Sequence, residues 1–241
     1  MAAAGRHSYT SARNVSSQSD TGDDMLIAPK ARPLLMVFAL CLGALGEIAP
    51  AGAQPAPLGT VEALVGTAVV TRQATGEALP LTVGAELFEA DRVRTYIGAR
   101  LRLRLRDGSV LTCGEATGLI LDPALYAPAR DSQSFLLRVS FGIVRTVVDL
   151  LAPQASYEMH TNTAVISVRG TEWIAEAQRA ATAIVALEGQ VAVRNVDPGV
   201  PGEVTLGPGE GVTVEAGTPP PAPTVWGDAR RNAFIERTSL P

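Results

Sequence analysis

Histidine, cysteine and lysine are almost missing from this chain of 241 residues, which has two histidines and two cysteines. Lys30 is the only lysine, so nearly all of the basic charge is arginine. His160 is the only histidine beyond the N-terminal third. A metal centre built from several histidines therefore lacks its ligands. A serine nucleophile would have His160 as its sole candidate base, and no G-x-S-x-G elbow is present. No phosphate loop or dinucleotide fingerprint occurs, so no cofactor is expected. Aromatic residues supply only 5% of the chain. The net charge of −4 argues against a general affinity for nucleic acid.

Cys41 lies in an apolar segment expected to be removed, which leaves Cys113 alone and no internal disulfide. Its surroundings in sequence are apolar and hold no histidine. Cys113 therefore reads as a small buried hydrophobe rather than a reactive thiol.

What is abundant points to a β protein. Hydrophobic residues make up 46%, enough for a core, and 23 glycines and 17 prolines suit a turn-rich fold. The length fits one or two domains.

Residues 1–32 are polar at first and too poor in apolar groups to fold, and they end on Lys30 and Arg32. Residues 33–53 follow as a signal peptide: an apolar run over 34–45, then Glu47, Pro50 and a small-x-small site at Ala51 and Ala53. Cleavage is expected between Ala53 and Gln54. The run is shorter than the roughly 20 residues a membrane helix needs. Met25 would open a signal of ordinary length and is the expected true start.

Residues 54–216 alternate with period two and are punctuated by glycine. The clearest element is residues 99–106, where Leu101, Leu103 and Leu105 share one face and Arg102, Arg104 and Arg106 the other. Asp107 and Gly108 then favour a hairpin, as do residues 73–76. Strands are also expected over 61–65, 67–72, 79–83, 91–95, 109–112, 135–139, 143–148, 164–168, 183–187, 191–194, 204–206 and 211–214. Residues 115–129 read as an irregular crossing. Gly66, Gly142, Gly189 and Gly211 each open a β-branched run, which hints at a repeated unit with uneven spacing. The expected fold is all-β, an antiparallel sandwich or roll of about a dozen short strands. Residues 217–223 read as a proline-rich linker. In the tail, 224–241, the positions of Trp226, Phe234 and Ile235 suggest a short helix docking back on the sheet.

Several fragments, in order, resemble the FecR domain family. Leu81, Gly84, Leu87, Asp91, Val93 and Thr95 fit L-x-x-G-x-x-L-x-x-x-D-x-V-x-T. Asp107, Gly108 and Ser109 fit its D-G-S hairpin. Thr161, Ala164, Val168, Arg169, Gly170, Thr171 and Trp173 fit T-x-x-A-x-x-x-V-R-G-T-x-[FW]. Glu188, Gly189, Val191 and Val193 fit E-G-x-V-x-V. The resemblance runs from about residue 59 to 214. It implies a regulatory or binding domain. Some members are inner-membrane regulators that relay a signal to a sigma factor through a cytoplasmic segment and a transmembrane helix. Here the first 32 residues hold no tryptophan and no helical apolar stripe, which favours the stand-alone form.

Two candidate sites emerge. Arg169, Gly170 and Thr171 could form an anion-binding loop, although Gly170 serving a bend and Thr171 bonding the backbone is the favoured reading. Arg100, Arg102, Arg104 and Arg106 could hold an anionic polymer or an acidic partner, although cross-strand pairing with carboxylates is favoured. Glu158 and Glu172 are the only pair suggesting glycoside hydrolysis, and nothing in the sequence joins them. The expectation is a non-enzymatic periplasmic or secreted binding, scaffold or signalling module. Its partner would be a protein or an envelope polymer, with no nucleic acid and no membrane span after cleavage. The alternatives are a membrane-anchored anti-sigma regulator and an envelope glycan-acting enzyme.

Overall fold

The computed structural model describes residues 56–122, 134–148, 156–168 and 170–240, all within one compact unit, Ala53–Pro241. The expected signal peptide and the cleavage site at Ala53 and Gln54 lie outside the described residues. Among the described residues there are seventeen strands and one helix. In chain order the strands are β1 (Gly59–Val65), β2 (Ala68–Thr71), β3 (Ala78–Pro80), β4 (Glu86–Leu87), β5 (Arg92–Thr95), β6 (Arg100–Leu105), β7 (Val110–Cys113), β8 (Gly118–Leu121) and β9 (Ser134–Val147). They continue as β10 (Ser156–His160), β11 (Ala164–Val168), β12 (Glu172–Ala177), β13 (Ala181–Glu188), β14 (Val191–Asn195), β15 (Glu203–Leu206), β16 (Glu210–Glu215) and β17 (Thr224–Val225); α1 spans Asp228–Arg237.

Two sheets result. Sheet A runs β4-β1-β6-β7-β9-β12-β13-β16-β17. Sheet B runs β3-β2-β5-β8-β9-β10-β11-β14-β15. Every pairing is antiparallel except β9 with β10, which makes sheet B mixed. The expected fold class holds, with more strands than a dozen because several have only two to four residues. Strand β9 belongs to both sheets. Residues 135–139 and 143–148, expected as two strands, are one strand that bends at Gly142 (φ 97°). A Cβ at Gly142 would overlap Thr117, so only glycine lets the chain cross there. Residues 118–121, expected inside an irregular crossing, form β8; their short apolar run pairs on both sides. Strands β10 and β12 carry no expectation from sequence. Glutamate and alanine in β12 disguise an alternation whose inward residues are Trp173, Ala175 and Ala177.

Inward residues of both sheets share one core. Leu101, Leu103, Leu111, Val144 and Trp173 come from sheet A, and Val70, Val93, Leu119, Tyr157 and Ile166 from sheet B. The Tyr157 and Trp173 rings meet edge to face at 5.4 Å across the layers. A second cluster lies on the outer face of sheet A. There Ile143, Ile174 and Val185 are covered by Trp226 and Phe234, with Ile235 packed alongside, so the tail docks as expected. Gly211 differs from the other three glycines singled out in the sequence. It sits inside β16, and a Cβ there would overlap the Trp226 indole.

The fold contains an internal duplication. The path β1–Gly66–β2–β3–Gly84–β4 recurs as β13–Gly189–β14–β15–Gly209–β16, running through sheets A, B, B and A in both copies. All four glycines have positive φ. Leu81, Gly84 and Leu87 correspond to Leu206, Gly209 and Val212. Ala85 N–H donates to Thr82 O at 3.0 Å, and Glu210 N–H to Gly207 O at 3.0 Å.

Candidate functional site

The four arginines of the stripe lie on β6 or just beyond it, with Leu101, Leu103 and Leu105 turned into the core. Their side chains therefore stand on the outer face of sheet A. The helix covers β9, β12 and β13 on this face, and the β1–β6–β7 portion carries the stripe. Cross-strand pairing accounts for Arg104, which bonds Glu62 at 2.7 Å, with both groups well exposed. Among the described residues neither Arg100 nor Arg102 has a carboxylate partner. Their Nε atoms are buried and have no hydrogen-bond acceptor. Arg100 does donate to the carbonyl of Ala99 at 3.3 Å. On β9, Arg145 continues the basic row beside Thr112 and is paired with Glu172.

Of the family-motif residues, Gly170, Thr171 and Gly189 are brought together, while Thr161 lies against Thr182 at the other end of β13. Thr161 is buried; its hydroxyl bonds Ala164 O at 3.2 Å, accepts Ala164 N–H at 2.9 Å and meets the Thr182 hydroxyl at 2.7 Å. Gly170 has φ 63°, as the expected bend requires, and Trp173 is fully buried in the core. Thr171 is buried, but its hydroxyl has no hydrogen-bond partner among the described residues, so the expected bond to the backbone is not made and the side chain serves by packing. Arg169 lies outside the described residues. Glu188 is exposed at the end of β13, and the adjacent Gly189 packs on Gly170 and Thr171. Asp91 and Thr95, from the D-x-V-x-T fragment, bond the backbone as Thr161 does. Asp91 accepts the Arg72 guanidinium at 2.5 Å and Phe88 N–H at 2.8 Å. The Thr95 hydroxyl donates to Gly114 O at 2.6 Å and accepts Thr117 N–H at 2.9 Å. In the D-G-S hairpin, Asp107 accepts from Ser109 N–H at 3.0 Å and from its hydroxyl at 2.9 Å.

The remaining titratable candidates are dispersed. Glu158 flanks the inward Tyr157 and Met159 on β10 and faces out from sheet B, with His160 at 3.3 Å and Arg194 at 3.4 Å. Glu172 faces out from sheet A. The two carboxylates therefore stand on opposite sides of the sandwich. Cys113 is buried in the core, as expected, and burial pushes its thiol up to about 12. Among the described residues no cluster of His, Cys, Asp and Glu is arranged to hold a metal, and no helix is long and apolar enough to cross a membrane.

One surface gave no sequence signal. At the end of the sandwich where β1 turns into β2, the chain exposes Val65, Tyr96, Ile97 and Phe141, and Arg94 lies against both rings. These residues come from three separate crossings and carry no common spacing.

Two sheets joined by glycine bends and by threonine and aspartate bonds define an all-β domain. Residues 91–192 match the family model described as FecR protein, so the chain carries a FecR domain. The match lies inside the span 59–214 that carries the sequence resemblance. No curated protein sequence matches the chain. Two crystal structures of a candidate anti-sigma factor from Parabacteroides distasonis ATCC 8503 are similar at 17% identity and a TM-score of 0.48. The alignment covers 60% of this chain and 63% and 64% of theirs, so the chain spans less than two thirds of those structures.

Proposed function

We propose that this chain is an exported, non-catalytic FecR-domain module with a regulatory role, and that it binds an acidic protein partner through the arginine face of sheet A. The observation carrying this reading is the state of Arg100 and Arg102. Both side chains lie half-buried on the outer face and, among the described residues, have no carboxylate partner, whereas Arg104 is already matched by Glu62. A partner's carboxylate would gain charge-assisted bonds from the outward ends of these guanidinium groups; their Nε atoms are closed to solvent and are not its target. The FecR match supports a signalling or regulatory module rather than an enzyme. Export rests on the basic flank, apolar run and small-x-small site of residues 30–53.

The test is a photo-crosslinker at Val110, next to the arginines on β7, introduced into the full chain in cells. A protein adduct that disappears in the Arg100→Gln/Arg102→Gln variant is expected. An adduct indifferent to that variant would overturn the face. Retention of the chain only by an anionic glycan would replace the protein partner with an envelope polymer. N-terminal sequencing of the same material should begin at or near Gln54; a full-length chain in washed membranes would favour the anchored anti-sigma reading.

A further inference from the structure

We infer that the exposed end of the sandwich, formed by Arg94, Tyr96, Ile97 and Phe141, is a second binding surface, and that it takes a peptide segment presenting an apolar side chain beside a carboxylate. It adjoins the Arg100 end of the arginine face, where Val65 pairs with Arg100, but it does not include Arg102 or Arg104 and stands whether or not that face binds.

The surface is preorganised. The Arg94 guanidinium lies 5.4 Å from the Tyr96 ring centroid and 5.7 Å from that of Phe141. The Phe141 ring sits against Gly118, where a Cβ would fall 2.6 Å from it. Tyr96 N–H bonds Thr67 O at 3.0 Å, and Ala116 N–H bonds Tyr96 O at 3.3 Å. Gly98 N–H donates to Glu115 at 2.7 Å, which fixes the tip that carries Ile97. A ligand meeting this tip therefore has little ordering left to induce.

The exposure is unusual for its position. Ile97 is 87% exposed at the apex of a turn, with Tyr96 at 43% and Phe141 at 40% beside it. Isolated exposed apolar residues need no account, but neighbouring ones mark contact surfaces. Tyrosine and arginine together are typical of the residues that dominate such contacts.

Charge sets the partner's chemistry. Arg94 has no carboxylate partner among the described residues. Glu115, the acid at this tip, already accepts the Gly98 N–H. The cation is thus left for an incoming acid, which would gain a charge-assisted bond beside two apolar rings. A sugar polymer fits less well. Ile97 and Val65 are aliphatic, and the patch offers few side-chain groups to bond hydroxyls.

The experiment uses full-length mature protein labelled at isoleucine methyl groups. It is titrated with a synthetic peptide of alternating leucine and aspartate, with its leucine–asparagine counterpart and with oligogalacturonate. The acidic peptide should shift the Ile97 methyl while the core methyls of Ile166 and Ile184 stay still. The asparagine peptide and the Arg94→Gln variant should each bind at least tenfold more weakly. Ile97→Asp should abolish binding with an unchanged melting temperature, and Arg102→Gln should leave it unchanged. An unmoved Ile97 methyl, equal binding of both peptides, or preference for the oligouronide would each overturn the inference. So would concentration-dependent dimerisation lost in Ile97→Asp, because the occupant would then be a second copy of the chain.

Discussion

A Cβ placed on Gly189 would fall 2.5 Å from Cγ2 of Thr171 and 2.8 Å from the carbonyl oxygen of Gly170. The R-G-T and E-G fragments, separated in sequence, are thus two bends stacked on each other. The first half of the fold repeats the arrangement: a Cβ on Gly66 would fall 2.9 Å from Cα of Ala99, the residue after Gly98. Gly98 and Gly170 both have positive φ, 74° and 63°. This contact explains the glycines of both fragments.

Gly189→Ala and Gly66→Ala should therefore destabilise the domain by about 2–4 kcal/mol, combining backbone strain of about 1–3 kcal/mol with the overlap. Gly170→Val should cost about 1–3 kcal/mol for its positive φ. Gly76 has φ 70° but open space around it, so Gly76→Ala should cost about 1 kcal/mol. Urea melts of the four variants check the order. Equal losses at Gly76 and Gly189 would show that stacking contributes nothing.

Much of this architecture was legible in the sequence, because alternation is a direct record of a strand with one buried face. Residues 99–106 announce β6 through Leu101, Leu103 and Leu105, and Asp107–Ser109 announces its hairpin. Strand β8 was hidden because Gly118 and Pro123 frame only four residues. The duplication was only hinted at, through Gly66 and Gly189, because the connection from β2 to β3 is shorter than that from β14 to β15. The arginine stripe could be read from β6 alone, but its pairing could not, since Glu62 comes from β1. The Arg94, Tyr96, Ile97 and Phe141 surface was illegible, since only the stacking of bends assembles it.

The Arg72–Asp91 pair offers a second test. Asp91 is 2% exposed and holds both the Arg72 guanidinium and the Phe88 N–H. Removing one partner of a buried pair costs about 3–5 kcal/mol, because the other charge is stranded. Arg72 is 22% exposed and can recover some hydration, so Asp91→Ala should cost about 3 kcal/mol. Arg104→Gln, which breaks an exposed pair, should cost at most about 1 kcal/mol. Comparable losses in the two variants would contradict the assignment of Asp91 as a staple.

Cys113 predicts an alkaline limit. Burial raises its thiol from the ordinary value near 9 to about 12. The folded state keeps the proton while the unfolded chain releases it above about pH 9. The contribution is thus complete below pH 9 and is lost as pH rises toward 12, at about 1.4 kcal/mol per unit. Tyr157 acts in the same direction at higher pH, raised first by burial and then by Asp107 and Cys113. Stability should fall between pH 9 and 11 more steeply in the wild type than in Cys113→Ala. Parallel curves would mean that the thiol is hydrated in the folded state. At neutral pH, thiol reagents should label Cys113 only on unfolding.

The docked tail gives the last prediction. Trp226 lies over Gly211, is stacked by the Arg230 guanidinium at 3.6 Å, and meets Phe234 edge to face at 5.1 Å. Trp226→Ala should cost about 3–5 kcal/mol, the usual range for a buried large aromatic. Gly211→Ala should also destabilise, because its Cβ would displace the indole and approach Ile184 O at 2.7 Å. With the indole already gone, only the carbonyl contact remains. The double variant should therefore be more stable than the sum of the two losses implies, with a coupling of at least about 1 kcal/mol. Denaturant melts of the four proteins in this cycle measure that coupling. Strict additivity would place Trp226 away from Gly211 in solution, and the outer face of Ile143, Ile174 and Val185 would then be open.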